Sequence, residues 1–297
     1  EGRTVKRNAP SLLNVGFMRH LFHDGREDRL EQQVWGPLLA FNELGNPSIG
    51  YVIDELAGLP EYAPLFAAAF PDEPQPTMYT IGAALAAYER ALMAGDSPFD
   101  RWRYGKNPEA LPPDAQRGFE LFTGKAGCSG CHLIGDDAAL FTDHAWHNTG
   151  VGFRRSMQST TTGALDVQVA PGERLAVERT HVAASSEIPP NDLGRYEVTL
   201  DPADRWRYRT PSLRNIALTA PYMHNGSLPT LEAVIAFYDG GGVPNEGLDP
   251  RIKPLGLDTA ERTDLRAFLA SLTGGNVGTL VRDAYAAPIG DRGTQAR

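Results

Sequence analysis

The chain has 297 residues, 22% of them charged, and a net charge of −9 with no clustered lysine or arginine. That balance argues against nucleic acid as a partner, and the length allows two domains with cores of their own. No stretch comes near the roughly 20 consecutive apolar residues of a membrane span; the longest weakly polar run, Ile81 to Leu92, is broken by Tyr88, Glu89 and Arg90.

Helical periodicity dominates the chain. Leu30, Val34 and Leu38 recur every fourth residue behind Asp24 and Asp28, which can cap a helix start. Pro76-Thr77 opens a second helix carrying Ile81, Leu85, Tyr88 and Leu92, and Gly95 ends it. The Pro- and Gly-containing stretch from Gly105 to Pro113 reads as the domain boundary. A further helix is predicted from Asp114 to Phe122, with Gly118 a point of close helix contact. Ser156 to Pro190 mixes Ser, Thr, Pro and scattered Val, which predicts an insertion: either a solvated loop or a partner-docking surface. β-branched alternation is confined to short runs such as Val167-Val169 and Tyr196-Val198. Asp258 followed by Glu261 predicts a capping box, and Leu265, Phe268, Leu269 and Leu272 form the apolar stripe behind it. The class is therefore mainly α.

The most specific signal is Cys128-Ser129-Gly130-Cys131-His132, which holds every cysteine in the chain. Two thiols three apart can add across the vinyl groups of one haem, and the adjoining imidazole then ligates its iron. A thioredoxin-like pair would need a βαβ context, a structural zinc site would need further Cys or His ligands at ordinary spacing, and a plain disulfide gives no reason for the histidine. The reading is one covalent haem c per chain. A helix ahead of this signal and a late amphipathic helix make a cytochrome c-type haem domain, expected over 106–275 with the insertion at 156–190. A separate domain is expected over 1–105, and a tail over 276–297. Haem attachment of this kind takes place outside the cytoplasm, so a processed or truncated periplasmic product is expected.

Other blocks are Arg7-Asn8-Ala9-Pro10-Ser11-Leu12, Leu21-Phe22-His23-Asp24-Gly25-Arg26 and Glu31-Gln32-Gln33-Val34-Trp35-Gly36-Pro37. Beyond the haem signal come His147-Asn148-Thr149-Gly150-Val151-Gly152, Asn191-Asp192-Leu193-Gly194-Arg195-Tyr196-Glu197, Arg209-Thr210-Pro211-Ser212-Leu213-Arg214-Asn215 and Ala220-Pro221-Tyr222-Met223-His224-Asn225-Gly226. Together they resemble the bacterial di-haem cytochrome c peroxidase family, in its MauG-like and methanobactin-operon branch. The blocks span nearly the whole chain in the family's order. The chain departs from the family in lacking the first Cys-x-x-Cys-His segment, so the resemblance implies that 1–105 is the remainder of a second haem domain, with the second haem expected from a missing segment or another chain.

The resemblance implies roles residue by residue. His132 is the proximal ligand. Tyr238, by spacing alone a core tyrosine at a helix end, stands where ordinary family peroxidases place a ligating methionine, and so is implied as the second iron ligand; Met223 is the rival. Glu43 matches the distal acid–base that moves a proton between peroxide oxygens, and Gln33 its hydrogen-bonding companion. His23 falls where the family usually has a tryptophan between the haems, and by itself reads as a packed, hydrogen-bonded histidine. Calcium is implied between the domains, with Asn8 as side-chain ligand and Thr219 and Pro221 as carbonyl ligands. His224 is expected to orient the haem surroundings, and His144 and His147 read as structural or functional alike. The implied activity is a periplasmic oxidoreductase in which hydrogen peroxide generates high-valent iron that oxidises a residue of a partner protein. The alternatives are peroxide reduction fed by a small redox protein, and a one-haem electron-transfer cytochrome.

Overall fold

The computed structural model describes residues 5–157, 163–170, 173–178, 180–181 and 191–286. Its helices are α1 (Leu30–Gln33), α2 (Trp35–Leu39), α3 (Ile49–Ala57), α4 (Tyr62–Ala69), α5 (Met78–Ala91), α6 (Pro98–Arg103), α7 (Pro113–Thr123), α8 (Val151–Met157), α9 (Tyr196–Thr199), α10 (Leu231–Asp239), α11 (Thr259–Ala270) and α12 (Val277–Tyr285). Strands are short: β1 (Trp146–His147) pairs antiparallel with β4 (Tyr208–Arg209), and β2 (Ala164–Ala170) with β3 (Glu173–Glu178). The mainly α class stands. Among the described residues, no helix is long and apolar enough to cross a membrane.

The main core forms where α7 crosses α11. Gly118 makes this crossing close: a Cβ there would lie 2.0 Å from the Asp264 carbonyl oxygen and 2.8 Å from Phe268 Cβ. Asp258 and Glu261 form the expected capping box on α11, which buries Leu265, Phe268 and Leu269, with Leu272 just beyond. Phe99, Phe122, Phe141 and Phe268 interlock at centroid distances of 5.0 to 6.2 Å, mostly edge to face, the arrangement that aromatic quadrupoles favour. Phe99 belongs to α6, which Ser97 and Asp100 cap and which the Arg214–Asp100 ion pair fastens at 2.6 and 2.8 Å. These contacts tie α6, which precedes the stretch from Gly105 to Pro113, to the later core.

A smaller core of Val34, Trp35, Phe66 and Ile81 holds the first part of the chain. Helix α5 opens on a Thr77–Thr80 capping box, as Pro76-Thr77 foretold, but stops at Ala91 instead of running to Gly95. Its buried face runs through Ile81, Gly82, Ala86 and Glu89, while Leu85 and Tyr88 face solvent at 37% and 50% exposure. Small residues decide this: a Cβ on Gly82 would meet the Glu31 carbonyl oxygen at 2.6 Å, so α1 can lie against α5 only on that side. Asp24 and Asp28 do not cap α1, whose N-cap is Arg29 with no side-chain bond. Asp24 is buried and accepts from Arg7 and Arg26 instead. Val167-Val169 lies in β2, whereas Tyr196-Val198 is helical in α9. The rest of the 156–190 segment, apart from Ser156–Met157, the β2–β3 hairpin and neighbouring short pieces, lies outside the described residues, as does 287–297 of the tail.

Candidate haem-binding site

Helix α7 ends at Thr123, and Gly127, at φ 62°, turns the chain into a 3₁₀ turn over Cys128–Gly130. The His132 amide then donates to Cys128 O at 2.9 Å, so both thiols and the imidazole belong to one tightly wound segment. The cysteines are free, which removes the disulfide reading. Cys128 packs against the aromatic core, and burial pushes its thiol up to about 12. His132 Nδ1 lies 2.8 Å from the Phe141 carbonyl oxygen. A carbonyl can only accept, so Nδ1 carries the proton and the Nε2 lone pair is left for a metal. Burial also lowers the His132 pKa, keeping the ring neutral as a ligand must be.

Tyr238 comes from the last turn of α10, a helix capped by Thr230 and anchored by buried Leu231 and Ile235. Burial raises its phenol pKa, and thiolates at Cys128 and Cys131 would raise it further, so the hydroxyl is within electrostatic reach of both sulfurs. His132 and Tyr238 are both half-buried. This donor set fits a haem held covalently by the two cysteines, for which His132 and Tyr238 would be the candidate iron ligands. Met223 is held at φ 68° on the turn that follows the cis Ala220–Pro221 bond.

His147 braces the same segment. Its Nδ1 is 2.7 Å from Asp249 and its Nε2 2.9 Å from Asp143. Burial alone would lower its pKa, but bonds to Cys131, Asp143 and Asp249 prevail and raise it to about 9. Arg251 joins Asp249 to the Gly130 carbonyl oxygen at 3.1 Å. Cys131, Asp143 and His147 have the residue types of a metal set. A sulfur committed to a haem thioether is a poor further ligand, and the group serves instead to clamp the haem loop.

A buried network ties the first residues to the later body. Arg7 donates two parallel bonds to Asp192 at 2.7 and 2.8 Å, and reaches Asp24 at 2.5 Å and Glu197 at 3.1 Å. Burial would raise the Asp192 pKa, yet Arg7 holds that carboxyl well below the usual range. Asn8 bonds its side-chain amide to Pro221 O at 2.8 Å and its backbone N–H to His224 O at 2.7 Å, and accepts from His23 Nε2 at 2.9 Å. The structure thus brings Asn8 to Pro221, with Thr219 two residues earlier on the same loop. His224 stacks on Tyr208, 3.5 Å apart and nearly parallel at 9°. Burial lowers His23 to about 4 and His224 to about 3.

Glu43 and Gln33 are less assembled. Gln33 ends α1 with its Oε1 buried and without a partner among the described residues. Glu43 is exposed on a turn beside Phe41 and Leu44, themselves 63% and 67% exposed. Among the described residues, no apolar element covers that turn to give the dry surroundings expected of a distal acid–base.

Sequence comparison supplies the context for this geometry. A family model described as di-haem cytochrome c peroxidase matches residues 1–108, and a RoxA-like, cytochrome c-like model matches 207–237. Cytochrome-c peroxidase IdrP1 of Denitromonas iodatirespirans is 34% identical over 270 residues, covering 90% of this chain and 68% of that protein. The chain belongs to the di-haem cytochrome c peroxidase family. Among its family relatives, methylamine utilization protein MauG of Methylorubrum extorquens is 36% identical over 90% of this chain, which spans 65% of that protein's length. The crystal structure of a MauG-like protein associated with microbial copper homeostasis superposes with a TM-score of 0.71 at 30% identity, covering 92% of this chain and 77% of that one.

Arg7, Asp24, Asp192, Glu197 and Arg209 stand inside the di-haem peroxidase blocks, yet sequence reasoning assigns them no role in the site. The signal that could have found them is the placing of charged residues within otherwise apolar and glycine-rich blocks, which marks candidates for burial. Asp143, Asp249 and Arg251 around His147 carry no such signal, since each stands in an ordinary polar loop.

Proposed function

We propose that this chain is the greater part of a periplasmic di-haem oxidoreductase that uses hydrogen peroxide to oxidise a residue of a partner protein. The observation that carries the reading is Tyr238, a half-buried phenol in electrostatic reach of Cys128 and Cys131, which would make it the candidate second ligand of a haem held by His132. A bound haem c would supply the redox-active iron, and an anionic oxygen ligand from Tyr238 would favour its ferric state. The likeness to MauG and to the MauG-like crystal structure supports this branch.

The chain's own residues do the rest. Phe141 O fixes the His132 tautomer, and the His147–Asp249–Arg251 brace fixes the loop carrying Cys131. Glu43 relays the proton between peroxide oxygens once its turn is covered by the remainder of the protein, with Gln33 positioning peroxide or water. Asn8, with the Thr219 and Pro221 carbonyls, takes a calcium ion where the first residues meet the later body. The second haem is contributed from outside these residues.

A second reading is simple peroxide reduction fed by a small redox protein, favoured by the relatives named cytochrome-c peroxidase. Absorption and EPR spectra of the ferric haem separate the two. Tyr238→Phe changes them and Met223→Leu leaves them nearly unaltered under the first reading; the reverse pattern returns the chain to the methionine-ligated peroxidases. Pyridine haemochrome and intact mass are expected to give one covalent haem per 297-residue chain.

A further inference from the structure

Arg209 is a buried cation with no anion beside it among the described residues. It is 8% exposed, and its guanidinium donates to Phe22 O at 3.2 Å, Thr210 O at 3.3 Å and the Met18 thioether at 3.5 Å, all neutral acceptors. Among the described residues, no carboxylate pairs with it. A guanidinium carries five N–H donors and its charge is costly to desolvate, so a buried one is ordinarily matched by an acid. The other arginines held in the interior follow that rule: Arg7 has Asp192 and Asp24, and Arg214 has Asp100.

The surroundings of Arg209 are cationic too. Trp146 is its cross-strand partner in the β1–β4 ladder, and paired side chains share a face. The loop before Trp146 lies on the residue after Arg209, through Thr142 Oγ1 donating to Thr210 O at 2.7 Å and Thr210 N to Ala145 O at 2.9 Å. His144 on that loop is held at φ 58°, with a buried Nδ1 that has no hydrogen-bond partner. The Trp146 indole N–H is likewise buried and without a partner. His20 lies 4.7 Å from the Trp146 ring, and Arg195 covers that ring at 4.4 Å. Arg19, exposed, acts on both His20 and His144. The nearby acids are engaged or outlying: Asp143 is taken by His147 and the Ala145 N–H, and Asp28 is exposed. This cationic cluster stands in a chain whose net charge is −9.

We infer that Arg209 and His144, walled by Trp146, form a seat for a carboxylate or similar oxyanion, approached past His20 and Arg19. Arg209 supplies the charge and a fork of donors, His144 Nδ1–H a further donor, and Arg19 draws the anion in. The same chemistry is offered by a propionate of a bound haem and by a free oxyanion, and the test separates them.

The haem-loaded chain is titrated with inorganic phosphate at low ionic strength by equilibrium dialysis, and its haem midpoint potential is measured. If the seat takes a free oxyanion, phosphate binds once per chain, Arg209→Gln weakens it about tenfold or more, and Arg19→Gln weakens it less. If a haem propionate fills the seat, phosphate does not bind, Arg209→Gln lowers the midpoint potential, and Arg209→Lys restores most of the difference. Phosphate binding untouched by Arg209→Gln overturns the inference, as does absence of binding together with an unmoved potential. Should Arg209→Gln fail to retain haem, His144→Phe takes its place in both measurements, and the same results support or overturn the seat.

Discussion

Replacing Gly118 by alanine tests the helix crossing on which the haem segment rests. The new Cβ would stand 2.0 Å from Asp264 O, 2.6 Å from Asp264 C and 2.8 Å from Phe268 Cβ. None of these atoms can rotate away, so α7 and α11 must part by on the order of 1 Å to reach ordinary contact. Parting them loosens Phe122 from Phe268, now 5.0 Å apart, and with them the packing behind Cys128. Two effects oppose each other. Alanine favours a helix over glycine by roughly 0.5–1 kcal/mol, whereas overpacking costs about 1–3 kcal/mol and more when backbone is the obstacle. The clash wins, and a net loss of about 2 kcal/mol or more is expected. Urea denaturation of the haem-loaded chain reads this directly, with covalent haem yield as a second measure. Gly95→Ala is the control, since a Cβ there meets nothing within 4 Å. A Gly118→Ala protein as stable as the parent would refute the packing argument.

Three further outcomes are expected. Arg7→Gln leaves Asp192, whose side chain is 0% exposed, without its cation, and leaves Asp24 with Arg26 alone, and is expected to cost about 3–5 kcal/mol; a urea midpoint shifted by less than about 1 kcal/mol in stability would contradict the network, and adding Asp192→Asn should recover part of the loss. Acid should destabilise the fold in two stages. His224 is held neutral down to about pH 3 against an ordinary value of 6.5, so the unfolded chain gains its proton first and stability falls from pH 6.5 downward, by about 2 kcal/mol at pH 5. Asp192 and Asp24, depressed by Arg7 against burial, add their loss as pH drops below the ordinary carboxylate range; a denaturation midpoint flat from pH 7 to 4 would count against buried neutral histidine. In the complete two-haem protein, Glu43→Gln should slow reaction with peroxide by on the order of 10² to 10⁴ while leaving haem content intact, and stopped-flow mixing that shows an unchanged rate would remove Glu43 from the site.

What the sequence determined by itself is what local chemistry determines. Cys128, Cys131 and His132 act within five residues, so their meaning needs no fold. The caps at Thr77 and Asp258 and the stripe Leu265-Phe268-Leu269-Leu272 are likewise set by neighbours three or four residues away. Which face of α5 is buried was not legible, because Gly82 and Ala86 weigh little in any apolar pattern yet decide where α1 can approach. Tyr238 was marked by family position, but its nearness to the two cysteines is a tertiary fact. So are the pairing of Arg7 with Asp192, 185 residues away, and the burial of Arg209 among neutral acceptors. A side chain's charge is written in the sequence, but its counter-charge and its distance from water are set by where the distant parts of the chain meet.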